Sequence, residues 1–131
     1  DFAYTLPTEA QWEYACRAGT TGDYAGELKS MGWYNQNSGN ATHPVGQKLA
    51  NPWGLFDMHG NVWEWCSDWY GNYPGNRVTD PTGAASGSAR IHRGGGWGDD
   101  AFRSCSAFRR RDTPEGRGNG LGLRLALSSI R

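Results

Sequence analysis

The chain combines many tryptophans and glycines with few aliphatic side chains, and this combination limits how it can fold. Seven tryptophans and 20 glycines occur among 131 residues. Each large aromatic ring buries roughly 150–250 Å², so aromatic side chains must supply much of the core. The glycines follow no repeat, which predicts many turns. We therefore expect one loop-rich α+β domain spanning residues 1–131, with little regular structure.

Charge and hydropathy exclude several classes of partner. Lys plus Arg equals Asp plus Glu, at 13 each, so the formal net charge is zero. A balanced charge gives no general attraction to nucleic acid or to anionic membranes. The longest apolar run is far shorter than the roughly 18 residues of a membrane span. We expect neither nucleic-acid binding nor membrane insertion.

The cysteines fit no common framework. Cys16, Cys66 and Cys105 form no CxxC pair and show no zinc-ligand spacing. An odd number argues against a complete disulfide framework. We expect most of them to be small buried hydrophobic residues, and the sequence leaves their disulfide state open.

Local patterns predict one helix and a few short strands. Residues 7–18 carry the spacing of a capping box, with Thr8 three residues before Gln11 and Gly19 at the expected end. Alternation predicts a strand around residues 62–66. We also expect a strand followed by a glycine turn over residues 90–97, and one short strand within residues 121–129. Residues 19–52 and 71–89 are predicted loops.

The segment from Asp57 to Trp65 contains two carboxylates on either side of a glycine turn. Asp57 and Glu64 are seven residues apart, with Gly60 between them. Calcium takes six to eight oxygen ligands, often carboxylates mixed with backbone carbonyls. Alternatively, Asp57 caps a turn and Glu64 faces solvent. The spacing alone leaves both interpretations open.

Two further residue sets have both a functional and a structural interpretation. Trp53, Trp63, Trp65 and Trp69 could stack on sugars, but core packing is favoured because the chain lacks aliphatic residues. The arginines of the C-terminal third could bind an anion. Carboxylates lie among them, and arginine suits bidentate carboxylate pairs, so ion pairing is favoured. These carboxylates are Asp99, Asp100, Asp112 and Glu115. The three histidines are widely separated and are interpreted as structural.

Four segments, in this order, resemble one family. They are LPTEAQWEYACRAG, THPVGQKLANPWGLFDMHGNVWEWCSDWY, RGGGW and LGLRLA. Together they resemble the formylglycine-generating-enzyme, or sulfatase-modifying-factor, family from about residue 5 to residue 127. The resemblance implies a variant C-type-lectin fold with few short strands and one or two helices. Family domains extend further toward the N terminus, so we expect this chain to be the C-terminal part of a longer domain.

The resemblance also implies a structural calcium ion. Its ligands would be the Asp57 side chain, the Gly60 and Val62 carbonyls, and the Glu64 carboxylate. The family usually has asparagine where Asp57 stands, and aspartate is an equally good oxygen donor. A second family calcium site would fall near residues 35–39, where the match is poor.

The chain departs from the enzymes of this family at their copper-binding cysteine pair. In the enzymes, two cysteines follow the glycine turn before the final strand. Here Ala101 occupies the position of the second one, and Cys105 aligns with a non-catalytic position. A single thiolate cannot give two-sulfur coordination to a soft metal. We therefore expect no copper and no oxidase activity. The alternative, a formylglycine-generating-type oxidase or related sulfur-oxidising enzyme, would need Cys105 or residues outside the chain.

The family's non-catalytic branch implies a binding function. It includes the variable proteins of diversity-generating retroelements, in which ligand-contacting residues lie between the glycine turn and the final strand. The corresponding window is residues 98–120, and its partner would be a protein or another macromolecule. The compartment is open, and cell-surface or secreted display is compatible with this function. The candidate contact residues are Asp99, Asp100, Phe102, Ser104, Ser106, Phe108 and Arg110.

Overall fold

The computed structural model describes residues 1–130; Arg131, the last residue of the predicted 1–131 domain, lies outside the described residues. The fold is α+β, with two helices, two small sheets and long connecting loops, as predicted. In the described part of the chain, no helix is long and apolar enough to cross a membrane. The helices are α1 (Glu9–Arg17) and α2 (Leu28–Met31), and the strands are β1 (Phe2–Thr5), β2 (Trp63–Trp69), β3 (Arg90–Arg93), β4 (Arg110–Asp112), β5 (Leu121–Gly122) and β6 (Ala126–Ser129).

Helix α1 confirms the helix predicted over residues 7–18. The Thr8 side chain accepts a hydrogen bond from Gln11 N–H, and the Gln11 side chain accepts one from Thr8 N–H. This reciprocal pair satisfies two of the free donors at the start of the helix. The helix ends at Ala18, which takes a left-handed conformation with φ 47°. Trp12 and Cys16 face the core, at 1% and 0% exposure.

The central sheet has the strand order β4-β3-β2-β5. Strands β3 and β4 pair antiparallel to their neighbours, and β5 runs parallel to β2. Side chains alternate between the two faces of a strand, so Glu64 and Cys66 face α1 while Trp63 and Trp65 face away from it. The core on the α1 side consists of Trp12, Cys16, Met58, Cys66 and Ile91.

The C-terminal segment differs from the prediction. Residues 121–129 were expected to form one strand, but they form two strands in different sheets. Strand β5 pairs with β2, whereas β6 pairs with β1 in a separate two-stranded sheet. The single-strand prediction was wrong because the leucine alternation continues through the crossover at residues 123–125, which pairs with neither sheet. Leu123 and Leu125 are exposed there.

The favoured interpretation of the tryptophans as core residues holds for part of the set. Trp63 is buried at 4% exposure, and Trp65 and Trp69 are half-buried in β2. Trp53 is 48% exposed and packs edge-on against Tyr14, so it is not a core residue. The Arg90 guanidinium lies over the Trp69 ring at 3.5 Å.

Candidate ligand-contact surface and cation site

A glycine turn after β3 sets the direction of the predicted contact segment. Gly94 and Gly95 have φ angles of 102° and 73°, a conformation that side chains disfavour. A Cβ on Gly95 would lie 2.4 Å from Ser104 Oγ. Glycine therefore lets the chain reverse tightly and pass into a short 3₁₀ turn at Ala101–Ser104.

Asp99 fixes the start of this segment to the sheet. Its Oδ2 accepts hydrogen bonds from Trp63 Nε1 at 2.7 Å and from Gly96 N at 3.0 Å. Its backbone carbonyl accepts a bond from Asn35 N at 2.9 Å. The Asp99 side chain is only 13% exposed. Its prediction as a contact residue is corrected, because its carboxylate is used to hold the backbone.

Ser104 and Ser106 were also predicted to contact a ligand, but both are fully buried. The Ser104 carbonyl receives a hydrogen bond from His59 Nδ1 at 2.9 Å. The Ser106 carbonyl accepts one from Arg93 Nη2 at 2.7 Å. They belong to a run of three consecutive buried residues, with Cys105 between them. A ligand on the surface cannot reach them.

The remaining candidates form one area, here called the contact surface, in which Phe108 is half-buried and the others are exposed. Phe102 is 70% exposed and lies edge-on to Phe108, with ring centroids 5.3 Å apart. The Arg110 guanidinium lies over Trp63 at 5.3 Å. Arg103, absent from the predicted set, has a 50% exposed side chain and pairs with Asp99 at 3.3 Å; its i,i+4 spacing from Asp99 is the signal that could have found it. The contact surface consists of Asp100, Phe102, Arg103, Phe108 and Arg110.

A buried histidine lies beneath this surface. His92 is 3% exposed, and its ring meets the edges of Trp63 and Trp65 at centroid distances of 5.3 Å and 5.0 Å. Neither ring nitrogen has a hydrogen-bond partner within residues 1–130. Burial, with a further contribution from the positive charge of Arg110, lowers the pKa of His92 to about 4. The imidazole is therefore neutral at pH 7.

Buried ion pairs hold the far end of the segment. Arg109 binds Glu9 through Nε at 2.6 Å and through Nη2 at 2.9 Å. Arg93, fully buried, binds Glu9 at 2.7 Å and also pairs with Glu13. The predicted ion pairing therefore holds for Arg103, Arg109 and Arg124, but the carboxylates that pair with Arg93 and Arg109 come from α1. Sequence reasoning missed Glu9 and Arg93, because no local spacing links them.

The four predicted calcium ligands line a single cavity of about 430 Å³. Asp57 has φ 60° and accepts a hydrogen bond from Gly46 N to Oδ2 at 2.8 Å. Its Oδ1 is buried and has no hydrogen-bond partner among the described residues. An unpaired buried carboxylate oxygen costs free energy unless water or an ion satisfies it. Residues Gly60, Val62 and Glu64 complete the set.

Glu64 is 5% exposed, so the alternative in which it faces solvent is wrong. It accepts hydrogen bonds from Trp12 Nε1 at 2.8 Å and from Arg124 at 2.9 Å and 3.0 Å. A carboxylate has about four acceptor positions, so one remains. Arg124 and the two carboxylates leave a net charge of −1. No cluster of three His, Cys, Asp or Glu side chains occurs in residues 1–130, so most further ligands would be carbonyls. This donor set fits a calcium ion centred on Asp57.

The three cysteines are all free and buried. Burial raises the pKa of Cys16 to about 12 and also raises the pKa of Cys66. Cys105 follows the 3₁₀ turn and is 7% exposed. None of these thiols is presented to solvent at the contact surface.

The fold combines a small curled sheet, a single packed helix and long loops that are fixed by buried polar groups. This combination defines a loop-rich protein of the C-type-lectin class. The chain belongs to the family of the sulfatase-modifying factor enzyme 1-like domain, whose model matches residues 3–129.

Three known proteins illustrate the range of this family. Treponema denticola variable protein 1 has a similar structure, with a TM-score of 0.89 and 41% identity over 93% of this chain and 46% of that chain. PvdO from Pseudomonas aeruginosa superposes with a TM-score of 0.84 and 30% identity over 96% of this chain and 53% of that one. The formylglycine-generating enzyme of Streptomyces coelicolor is 37% identical over 92% of this chain and 46% of its own length. The chain thus spans about half the length of these relatives.

Proposed function

We propose that this chain is a non-catalytic ligand-binding module whose contact surface recognises a protein or another macromolecule. One observation carries the proposal: Asp99 and Arg109 fix both ends of the segment after Trp97 by buried polar contacts, while Phe102 and Arg103 between them are exposed. A fixed backbone that presents aromatic and charged side chains suits adaptable recognition. The similarity to Treponema denticola variable protein 1 supports the same function.

The residue types in the window agree with diversification by a retroelement. Adenine-directed mutation of asparagine codons reaches many residue types but not Lys, Gln, Glu, Met or Trp. Residues 98–120 contain none of these except Glu115, which can be a fixed position. A neighbouring reverse-transcriptase gene and an adenine-rich near-copy of the coding sequence for 98–120 would support diversification. Without them, a module of fixed specificity is the better description.

Selection from a library tests the binding function. Positions 102, 103, 108 and 110 are randomised together, and the library is displayed and selected against a protein of known structure. A matched library randomises four exposed positions away from the contact surface: Thr21, Gln47, Leu49 and Asn76. We expect binders from the first library only. Equal recovery from both libraries, or none from the first, would overturn the proposal.

A second candidate function is oxidation of a substrate cysteine, favoured by the similarity to formylglycine-generating enzymes. In this chain it would depend on Cys105, which is 7% exposed and precedes the buried Ser106. Copper(I) titration combined with an oxidation assay on a sulfatase-type cysteine peptide separates the two functions. Turnover that is lost in Cys105→Ala would favour the enzyme. Absence of turnover in both proteins is the expected result.

The cavity at Asp57 supports a structural calcium ion as part of this proposal. The Asp57 side chain and the Gly60 and Val62 carbonyls would hold it, with the free acceptor position of Glu64 contributing. Bound calcium would supply a positive charge that satisfies Asp57 Oδ1 and joins the turn to β2. Its role would be to stabilise the scaffold, not to take part in chemistry.

A further inference from the structure

A second concave site, separate from the contact surface, lies between α1 and the loop at residues 71–84. It is a groove of about 1150 Å³, slightly larger than the roughly 300–1,000 Å³ of typical ligand sites. One wall is formed by α1 and the other by the loop, with Asp68 and Trp69 at the end of β2 between them. Much of the lining is apolar or aromatic: Ala10, Tyr14, Tyr73, Val78, Pro81 and Ala84.

Most charged groups along this groove are held in ion pairs. Glu9 is held by Arg93 at 2.7 Å and by Arg109 at 2.6 Å. Glu13 pairs with Arg17 at 2.9 Å and with Arg93. These carboxylates and guanidiniums are therefore already satisfied and add little attraction for a charged ligand.

Two carboxylates along the groove lack a counter-charge. Asp68 is 3% exposed, and its Oδ1 accepts a hydrogen bond from Glu9 N at 2.8 Å. Neither Asp68 nor Asp80 lies within salt-bridge distance of a basic side chain in residues 1–130. Burial raises the pKa of Asp68, and the positive charge of Arg109, which lies outside salt-bridge distance, offsets only part of this rise. A Cβ on Gly83 would lie 2.7 Å from Asp68 Cβ, so the loop passes directly against it.

We propose that this groove binds a basic, amphipathic peptide segment, with a guanidinium or ammonium group directed to Asp68 and Asp80. The groove lining carries four carboxylates and only two guanidiniums, so charge complementarity favours a cation over an anion. Tyr14 and Tyr73 are 70% and 61% exposed. Their rings can cover the apolar stem of an arginine or lysine and attract its charged end. This site is independent of the contact surface and of the function proposed for it.

The test compares two peptides that differ only in charge. The probes are acetyl-Leu-Arg-Leu-amide and its citrulline analogue, which is neutral and nearly isosteric. Each is titrated into the isotopically labelled full chain, and amide shifts are followed by NMR. We expect the arginine peptide to shift amides of α1 and of residues 71–84, with at least fivefold weaker binding for the citrulline peptide. Added salt should weaken the arginine complex.

Two variants locate the charge. Asp68→Asn keeps a side-chain oxygen that can accept the bond from Glu9 N, and Asp80→Asn suits a position with φ 46°, where asparagine is readily tolerated. Each should weaken binding at least threefold, whereas Glu115→Gln, an exposed residue outside the groove lining, should change it by less than 1.5-fold. Equal affinity for the two peptides would overturn the proposal, as would unchanged binding by a folded Asp80→Asn variant or shifts confined to the contact surface.

Discussion

Arg109 and Glu9, 100 residues apart in the chain, are joined by two hydrogen bonds of 2.6 Å and 2.9 Å. This paired contact ties the end of the contact segment to the start of α1. Arg109 is followed directly by the exposed Arg110. Neighbouring positions thus have opposite roles, one fixing the backbone and the next facing the solvent.

The Glu9 ion pairs should contribute strongly to stability. Glu9→Gln removes the charge that neutralises two guanidiniums, and unpaired buried charges are costly. We expect the free energy of unfolding to fall by about 3 kcal/mol, measured by urea denaturation. Glu115→Gln, at an exposed position, should change it by less than about 0.5 kcal/mol. Similar small changes in both variants would show that the ion pairs do not hold the segment.

The bond between Asp99 and Trp63 predicts a graded response to substitution. Asp99→Ala leaves the donors Trp63 Nε1 and Gly96 N without their acceptor. We expect a loss of about 2 kcal/mol in unfolding free energy. Asp99→Asn retains a side-chain oxygen and should lose less than half of that amount. If the alanine and asparagine variants both lose little unfolding free energy, the Asp99 side chain does not hold the segment.

His92 should make stability depend on pH. The folded state lowers the pKa of His92 from 6.5 to about 4, so between these values the unfolded chain binds more protons. The stability that depends on neutral His92 is fully present above pH 6.5 and is lost as the pH falls toward 4. Between pH 7 and pH 5 the loss should be about 2 kcal/mol.

Substitution isolates this contribution. His92→Phe keeps an aromatic ring against Trp63 and Trp65 but cannot titrate. Denaturation of both proteins at pH 7 and pH 5 gives, for each, the change in unfolding free energy between the two pH values. Subtracting one change from the other removes the contribution of the other titrating groups. An equal pH dependence in the two proteins would contradict a depressed pKa for His92.

The proposed calcium ion can be tested by chelation. If calcium binds only the folded chain, saturating calcium should raise the melting temperature by roughly 5–10 °C over the value in excess chelator. Asp57→Ala should abolish this difference, whereas Glu115→Ala should retain it. A melting temperature that does not respond to calcium in the unsubstituted chain would exclude the site.

Local sequence signals predicted the parts of the fold that depend on near neighbours. The Thr8–Gln11 box and the alternation at Trp63 and Trp65 were sufficient to locate α1 and β2. Strand β4 was not predicted, because its three residues are all exposed and have no apolar alternation. The division of the final leucine segment depends on pairing with β1, more than 120 residues away in the chain.

The candidate site was only partly predictable for the same reason. The window 98–120 could be located from the glycine turn. The sequence could not show which of its residues are exposed to solvent and which are buried. Ser104 and Ser106 have the composition of contact residues, yet both are fully buried at and just after the end of the 3₁₀ turn. The four predicted calcium ligands line one cavity. Arg124 lines the same cavity, and its presence there could not be inferred from sequence spacing.

The central claim is that the exposed side chains of the contact surface are free to vary without loss of the fold. The most direct measurement is thermal unfolding of several dozen unselected clones randomised at the exposed positions 102, 103 and 110. We expect most of them to unfold cooperatively within about 5 °C of the original chain, since exposed substitutions change stability little. If most clones are unfolded, these side chains hold the fold together and the display account is wrong.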